Sequence, residues 1–121
     1  MTRHFTLDEA NSHLRIIEPV LRDAVRLKRE HDTLLLRLST AAKDDDTPEA
    51  ESRADDLRAQ IRERADFITA LGIQIKNLDH GLIDFPTMRD GEEVLLCWHL
   101  EEPAVRFWHT YEDRFPGRRL V

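Results

Sequence analysis

Leu82-Ile83-Asp84-Phe85-Pro86-Thr87-Met88-Arg89-Asp90-Gly91-Glu92-Glu93-Val94-Leu95-Leu96-Cys97-Trp98-His99 decides the fold class. Asp-Gly between two extended apolar runs is a strong hairpin signal, because both central residues of the tight turn take positive φ. A turn at Asp90-Gly91 pairs residues whose numbers sum to 181: Leu82 with His99, Ile83 with Trp98, Asp84 with Cys97. Strand side chains alternate, so Asp84, Cys97 and His99 share one face, and Ile83, Phe85, Leu96 and Trp98 the other. A carboxylate, a thiol and an imidazole on one face can supply metal ligands; the plainer alternative is a partly solvated back face. Pro86 marks the first strand as an edge.

Upstream, the chain reads as two long helices. Thr6-Leu7-Asp8-Glu9 fits a capping box, with Phe5 placed to staple against Ala10. Leu7, Ala10, Leu14, Ile17, Leu21, Ala24, Lys28, His31, Leu35 and Leu38 recur in steps of three and four, a heptad seam that Pro19 should kink. Asp44-Asp45-Asp46 reads as a solvated connection and only superficially as a calcium loop, with Thr47 as N-cap and Pro48 in the first turn. Ala54, Leu57, Ile61, Arg64, Ile68, Leu71, Ile75 and Leu78 form a second seam that carries the helix to a C-cap at Gly81. The short connection makes the helices antiparallel neighbours, with Lys28, His31 and Arg64 clustered on the seam or reaching out to solvent.

Downstream, Pro103 opens a short third helix through about Glu112, ended by Pro116-Gly117. That helix would align Glu102, Arg106 and His109, followed by Glu112 and Asp113. Histidine beside carboxylates suits a general base or a divalent-metal site, or simply a row of surface ion pairs. Arg114, Arg118 and Arg119 stand near Trp108, Tyr111 and Phe115 and can grip an anion. The expected fold is therefore α+β and mainly helical: a coiled-coil-like antiparallel helical hairpin with a C-terminal β-hairpin and a short third helix. Residues 1–121 read as a single domain, with residues 1–80 as scaffold and 81–121 as head.

Composition sets outer limits. With 18 basic against 24 acidic residues the net charge is −6, which disfavours binding to nucleic acid or to an anionic membrane. No apolar run is long enough to span a bilayer, MTRHFTLDEA lacks a signal-peptide core, and Cys97 stands alone, so a reducing, cytoplasmic location is expected. Six of the eight aromatics lie in residues 81–121, which puts recognition in the head. A glycine-rich phosphate loop, a paired CxxC and a helical His-His metal pair are absent from the sequence.

Phe5-Thr6-Leu7-Asp8-Glu9-Ala10-Asn11, Lys76-Asn77-Leu78-Asp79-His80-Gly81-Leu82-Ile83-Asp84-Phe85-Pro86, and Cys97-Trp98 through Trp108-His109 to Gly117-Arg118 resemble the uncharacterised bacterial family catalogued as domain of unknown function 2203. The resemblance covers nearly the whole chain and implies no reaction. It draws attention to Gly81, Asp84, Phe85, Cys97, Trp98, Glu102, Trp108, His109, Gly117 and Arg118, which fall on the family's pattern. Lys28, His31 and Arg64 belong to the more variable coil. His99 stands where the pattern has arginine, Glu101 where it has glycine, and Arg114 where it often has glycine.

Two functional readings result. The first is a binding or assembly module that forms a homodimer through its helical hairpin and recognises a ligand or partner with its head, using Arg118, Trp98 and Trp108. The second is a small metal-dependent or acid–base enzyme. In it Asp84, Glu102 and His109 are ligands of a divalent metal or proton-transfer groups, and Arg118 holds an anionic substrate.

Overall fold

The computed structural model describes residues 2–40 and 46–121, so the Asp44-Asp45 connection lies outside the described residues. Helix α1 (Leu7–Thr40) and helix α2 (Thr47–Ala70) form the hairpin. Strands β1 (Gln74–Asn77), β2 (Leu82–Arg89), β3 (Glu92–His99), β4 (Phe107–His109) and β5 (Arg119–Leu120) form one antiparallel sheet in chain order.

The capping box at the start of α1 is made: the Glu9 backbone N–H donates to Thr6 Oγ1, and the Thr6 backbone N–H donates to Glu9 Oε1. The seam is buried from Ala10 through Ala24 and at His31, while Lys28 reaches outward to Asp32 and Asp79. Beyond His31 the seam loosens, with Leu35 exposed. Helix α1 runs through Pro19 as one element rather than breaking there. Phe5 packs edge-on against Phe85 and His13, and its backbone N–H donates to the Pro86 carbonyl.

Two boundaries differ from the sequence reading. The N-cap of α2 is Asp46, one residue earlier than Thr47. At its other end α2 stops at Ala70, not at Gly81, because Gly72 takes φ +93°, a conformation that breaks the helix. Leu71, Ile75 and Leu78 keep the heptad spacing, but Ile73-Gln74-Ile75-Lys76 also alternates with β-branched residues, and it is this second period that folds, as β1. Gly81 instead turns the chain from β1 into β2.

The β2–β3 register is the expected one, with Asp84 opposite Cys97 and Ile83 opposite Trp98, across a turn in which Asp90 and Gly91 both have positive φ. Strand β2 is not an edge, however: β1 pairs with it as far as Asp84. The Pro86 carbonyl accepts from Phe5, and the N and O of one strand residue point to the same side. The missing Pro86 N–H therefore faces the flank that β1 has already left. Ile83, Phe85, Leu96 and Trp98 pack onto Leu14, Ile17, Leu21, Val25 and Ile68, joining sheet and hairpin in one core. Each such burial contributes roughly 1.5–3 kcal/mol.

The expected third helix is absent. Its residues form turns and β4, which pairs Leu95 with His109 and Cys97 with Phe107, and only a 3-10 turn follows at Phe115–Gly117. Phe107-Trp108-His109 is bulky and aromatic, suited to a pleated surface, and its pairing with β3 outweighs the helix signal of Pro103. No described helix is long and apolar enough to cross a membrane.

Candidate metal centre

The sheet has a helix-facing side and a back side, and the chemistry lies on the back. Strand pairing sets Asp84 opposite Cys97, while His109 stands on the adjoining strand opposite Leu95. Because Asp84, Cys97, Leu95 and His109 share one face, the three polar groups meet: one ligand atom from each of Asp84, Cys97 and His109 lies within 4.8 Å of the others. All three residues are buried, Asp84 to 1% exposure. The centre of the back face is thus buried, while its ends at Leu82, Glu93 and His99 remain partly solvated.

The hydrogen bonds constrain the protons. His109 Nδ1 is 2.8 Å from the Thr110 carbonyl, which can only accept, so Nδ1 carries a proton. In the neutral ring Nε2 then presents a lone pair, and it stands 3.1 Å from Asp84 Oδ2. An ionised carboxylate also only accepts, so a proton or a cation must lie between the two. The second oxygen, Asp84 Oδ1, is buried without a hydrogen-bond partner, and the Cys97 thiol stands beside the carboxylate and favours its ionised form. Burial pushes the Asp84 carboxyl above its ordinary range, against the pull of His109 and Lys76. Burial, reinforced by the Asp84 charge, pushes the Cys97 thiol up to about 12, with Arg118 pulling the other way. A thiol so placed is a poor nucleophile, but a bound cation would deprotonate it.

A cleft of about 530 Å³ opens onto the cluster, lined by Asp84, His109, Lys76, Tyr111, Arg114 and Phe115 among others. That size suits a small molecule.

The other candidates separate from the cluster. Glu102 pairs with Arg118, whose Nη1 donates to both carboxylate oxygens at 2.9 and 3.1 Å, and also accepts the His99 backbone N–H. Arg118 is further held between the Phe107 and Phe115 rings. The predicted helical row Glu102–Arg106–His109 does not exist: the Arg106 guanidinium lies over Phe107, and Asp113 pairs with Arg119 rather than His109. Trp98 faces the helices and donates its indole N–H to the Glu102 carbonyl. Trp108 is half-buried beneath the guanidinium groups of Arg89 and Arg119. His99 shares the face but turns Nδ1 to the Leu100 carbonyl and its edge to Phe115, away from the trio.

The sum-of-181 register already placed Cys97 beside Asp84. What the sequence reading missed was the route by which His109 joins them, and the place of Lys76 at the cleft beside Tyr111 and Arg114, which it had set in an arginine–aromatic tail able to grip an anion. The available signal was alternation in a bulky aromatic run: Phe107 and His109 on one side, Trp108 on the other.

No curated protein and no solved structure matches the chain. Residues 3–121 match the family described as an uncharacterized conserved protein, and the chain belongs to that family, domain of unknown function 2203.

Proposed function

We propose that this protein binds a divalent transition-metal ion of the zinc class, with Asp84, Cys97 and His109 as its protein ligands and the fourth position open to the adjoining cleft. The observation that carries the reading is the convergence of Asp84, Cys97 and His109 within 4.8 Å, where His109 Nε2 and Asp84 Oδ2 need a proton or a cation between them and Asp84 Oδ1 is buried without a partner. A histidine whose far nitrogen donates to a backbone carbonyl is in the tautomer a metal requires. Mixed N, S and O donors suit zinc, and three protein ligands with an open fourth position is the arrangement of reactive rather than purely structural sites. Bond lengths of about 2.0–2.3 Å give a tetrahedral edge of roughly 3.5 Å. The trio, now within 4.8 Å, would close by about 1 Å on the ion. Glu102, committed to Arg118, is left out of the ligand set.

The test is metal content. Untagged protein, stripped with chelator and reloaded with zinc or cobalt, is expected to hold about one ion per chain. The cobalt form is expected to show a thiolate charge-transfer band that Cys97→Ser removes. Less than about a tenth of an ion per chain, in protein shown to be folded by circular dichroism, overturns the reading.

A second reading concerns the hairpin, which we propose pairs with another copy of this chain. Ile16 and Phe67 are exposed at 59% and 46%. Phe67 lines a shallow groove that carries both Arg22 and Arg26 and Asp23 and Glu63, a mixed charge pattern able to complement itself across a two-fold axis. Light scattering expects twice 14.2 kDa, reduced to one chain by Phe67→Glu; a concentration-independent monomer overturns it.

A further inference from the structure

The mouth of the cleft carries cations that the fold does not use. Among the described residues, neither Lys76 nor Arg114 forms an ion pair; Lys76 lies over the Tyr111 ring, 6.0 Å from its centroid. The nearby acid Glu93 is already occupied, accepting from Tyr111 Oη and lying 2.7 Å from His4 Nε2. On α1, by contrast, Arg22 pairs with Glu18 and Glu101, and Arg26 with Asp23.

Arg114 also sits where its backbone opposes it. At φ +55° and ψ −169° it occupies a region that glycine enters freely and side-chain-bearing residues rarely do. Its backbone still closes the turn, with the Arg114 N–H donating to the Thr110 carbonyl and the Gly117 N–H donating to the Arg114 carbonyl. Glycine would make the same two bonds with less strain. The guanidinium therefore contributes nothing to the turn that glycine would lack, and it projects its charge onto the cleft.

Charge balance names the ligand. A divalent ion held by one carboxylate and one thiolate is neutral overall, so Lys76 and Arg114 are the net charge of the cleft. We infer that Lys76 and Arg114 clamp the oxyanion of a small carboxylate- or phosphate-bearing molecule whose other end faces the Asp84–Cys97–His109 site. Arg114 offers a fork for two oxygens and Lys76 a point charge. The inference rests on the metal reading above, and the experiment keeps the two apart.

Zinc-loaded protein, its metal content measured on the same sample, is titrated calorimetrically with inorganic phosphate and separately with malonate. Binding of at least one of them is expected, and which one identifies the anion. Arg114→Gly is expected to weaken it by about tenfold while raising the melting temperature by roughly 3–5 °C, and Lys76→Gln to weaken it by a similar factor. That opposition of affinity and stability would not arise if Arg114 served only the fold. Metal-loaded protein that binds neither probe, or Arg114→Gly that binds as tightly as the parent, overturns the clamp alone. Protein that holds no metal overturns both readings.

Discussion

His109 Nε2 stands 3.1 Å from Asp84 Oδ2 while Nδ1 of the same ring is committed to the Thr110 carbonyl. Without a metal ion a proton must bridge these two desolvated groups, and the other carboxylate oxygen, Oδ1, stays buried and unpartnered. Asparagine at position 84 is nearly isosteric, carries no charge, and can donate its amide N–H to Nε2. We therefore expect Asp84→Asn to leave metal-free protein as stable as the parent or more stable, by up to about 2 kcal/mol in urea unfolding. The same variant is expected to lose metal binding. A site that costs stability when empty and repays it on loading would show this opposition; a structural Asp–His pair would simply lose stability.

Glu102 and Arg118 form the second buried pair, with side-chain exposures of 9% and 20%. Three elements meet there: the end of β3 through the His99 N–H, the aromatic rings of Phe107 and Phe115, and the Arg118 guanidinium itself. Arg118→Ala strands a mostly buried carboxylate, and its cost in urea unfolding is expected to be about 2–3 kcal/mol. Arg118→Lys keeps the charge but cannot lie flat between two rings, so it is expected to recover less than half of that loss. Full recovery by lysine would reduce the pair to simple charge attraction.

The helical hairpin and the central β-hairpin were legible in the sequence for the same reason. Each is specified by short-range signals that agree: Thr6 and Glu9 with the heptad seam, Asp90-Gly91 with alternating flanks. Errors arose where two periods coexist. Ile73, Ile75 and Leu78 fit either a helix or a strand, and only the positive φ of Gly72 settles the matter. Between Pro103 and Glu112 the local signal favours a helix, whereas β4 exists because β3 offers it an open edge, a long-range fact that no local pattern carries. The candidate site inherited that error. Asp84 and Cys97 were already neighbours by register, but His109 reaches them only once its segment is a strand. Arg114 shows the converse: its positive φ is a conformation that glycine favours, a feature of the backbone that the residue's identity conceals.

Acid stability should depend on the interhelical pair of Asp23 and Arg64. Hydrogen bonds from Arg26 and Arg64 hold the Asp23 carboxyl below its ordinary value of 3.8. A carboxyl depressed in the folded state adds stability that is fully present above its unfolded pKa, and this is lost as pH falls through the folded value. The stability difference between the parent and Asp23→Asn should thus be constant from neutral pH to about pH 5 and shrink below about pH 4. With Asp23 about one-third exposed, solvent screening limits that difference to under about 1 kcal/mol. Urea midpoints for both proteins between about pH 7 and pH 2.5 would measure it. A gap that persists unchanged at the acid end would show that asparagine fails through packing and not through charge.

Gly81 tests how the sheet is pinned next to the Asp84–Cys97–His109 cluster. It takes φ +61°, and its carbonyl accepts the Leu100 backbone N–H, tying the β1–β2 turn to the end of β3. An added Cβ would come within 2.6 Å of both Leu100 Cγ and Cδ1. Gly81→Ala therefore meets two separate penalties: a left-handed backbone of about 1–2 kcal/mol, and overpacking of about 1–3 kcal/mol. Leu100→Ala removes the second and leaves the first. In a double-mutant cycle followed by urea unfolding, the two substitutions should be coupled, with the double variant more stable than the sum of the singles by at least about 1 kcal/mol. Additive losses would place the whole cost of Gly81→Ala in the backbone. The close approach of Leu100 would then be incidental, and the turn geometry alone would fix where β2 begins and presents Asp84.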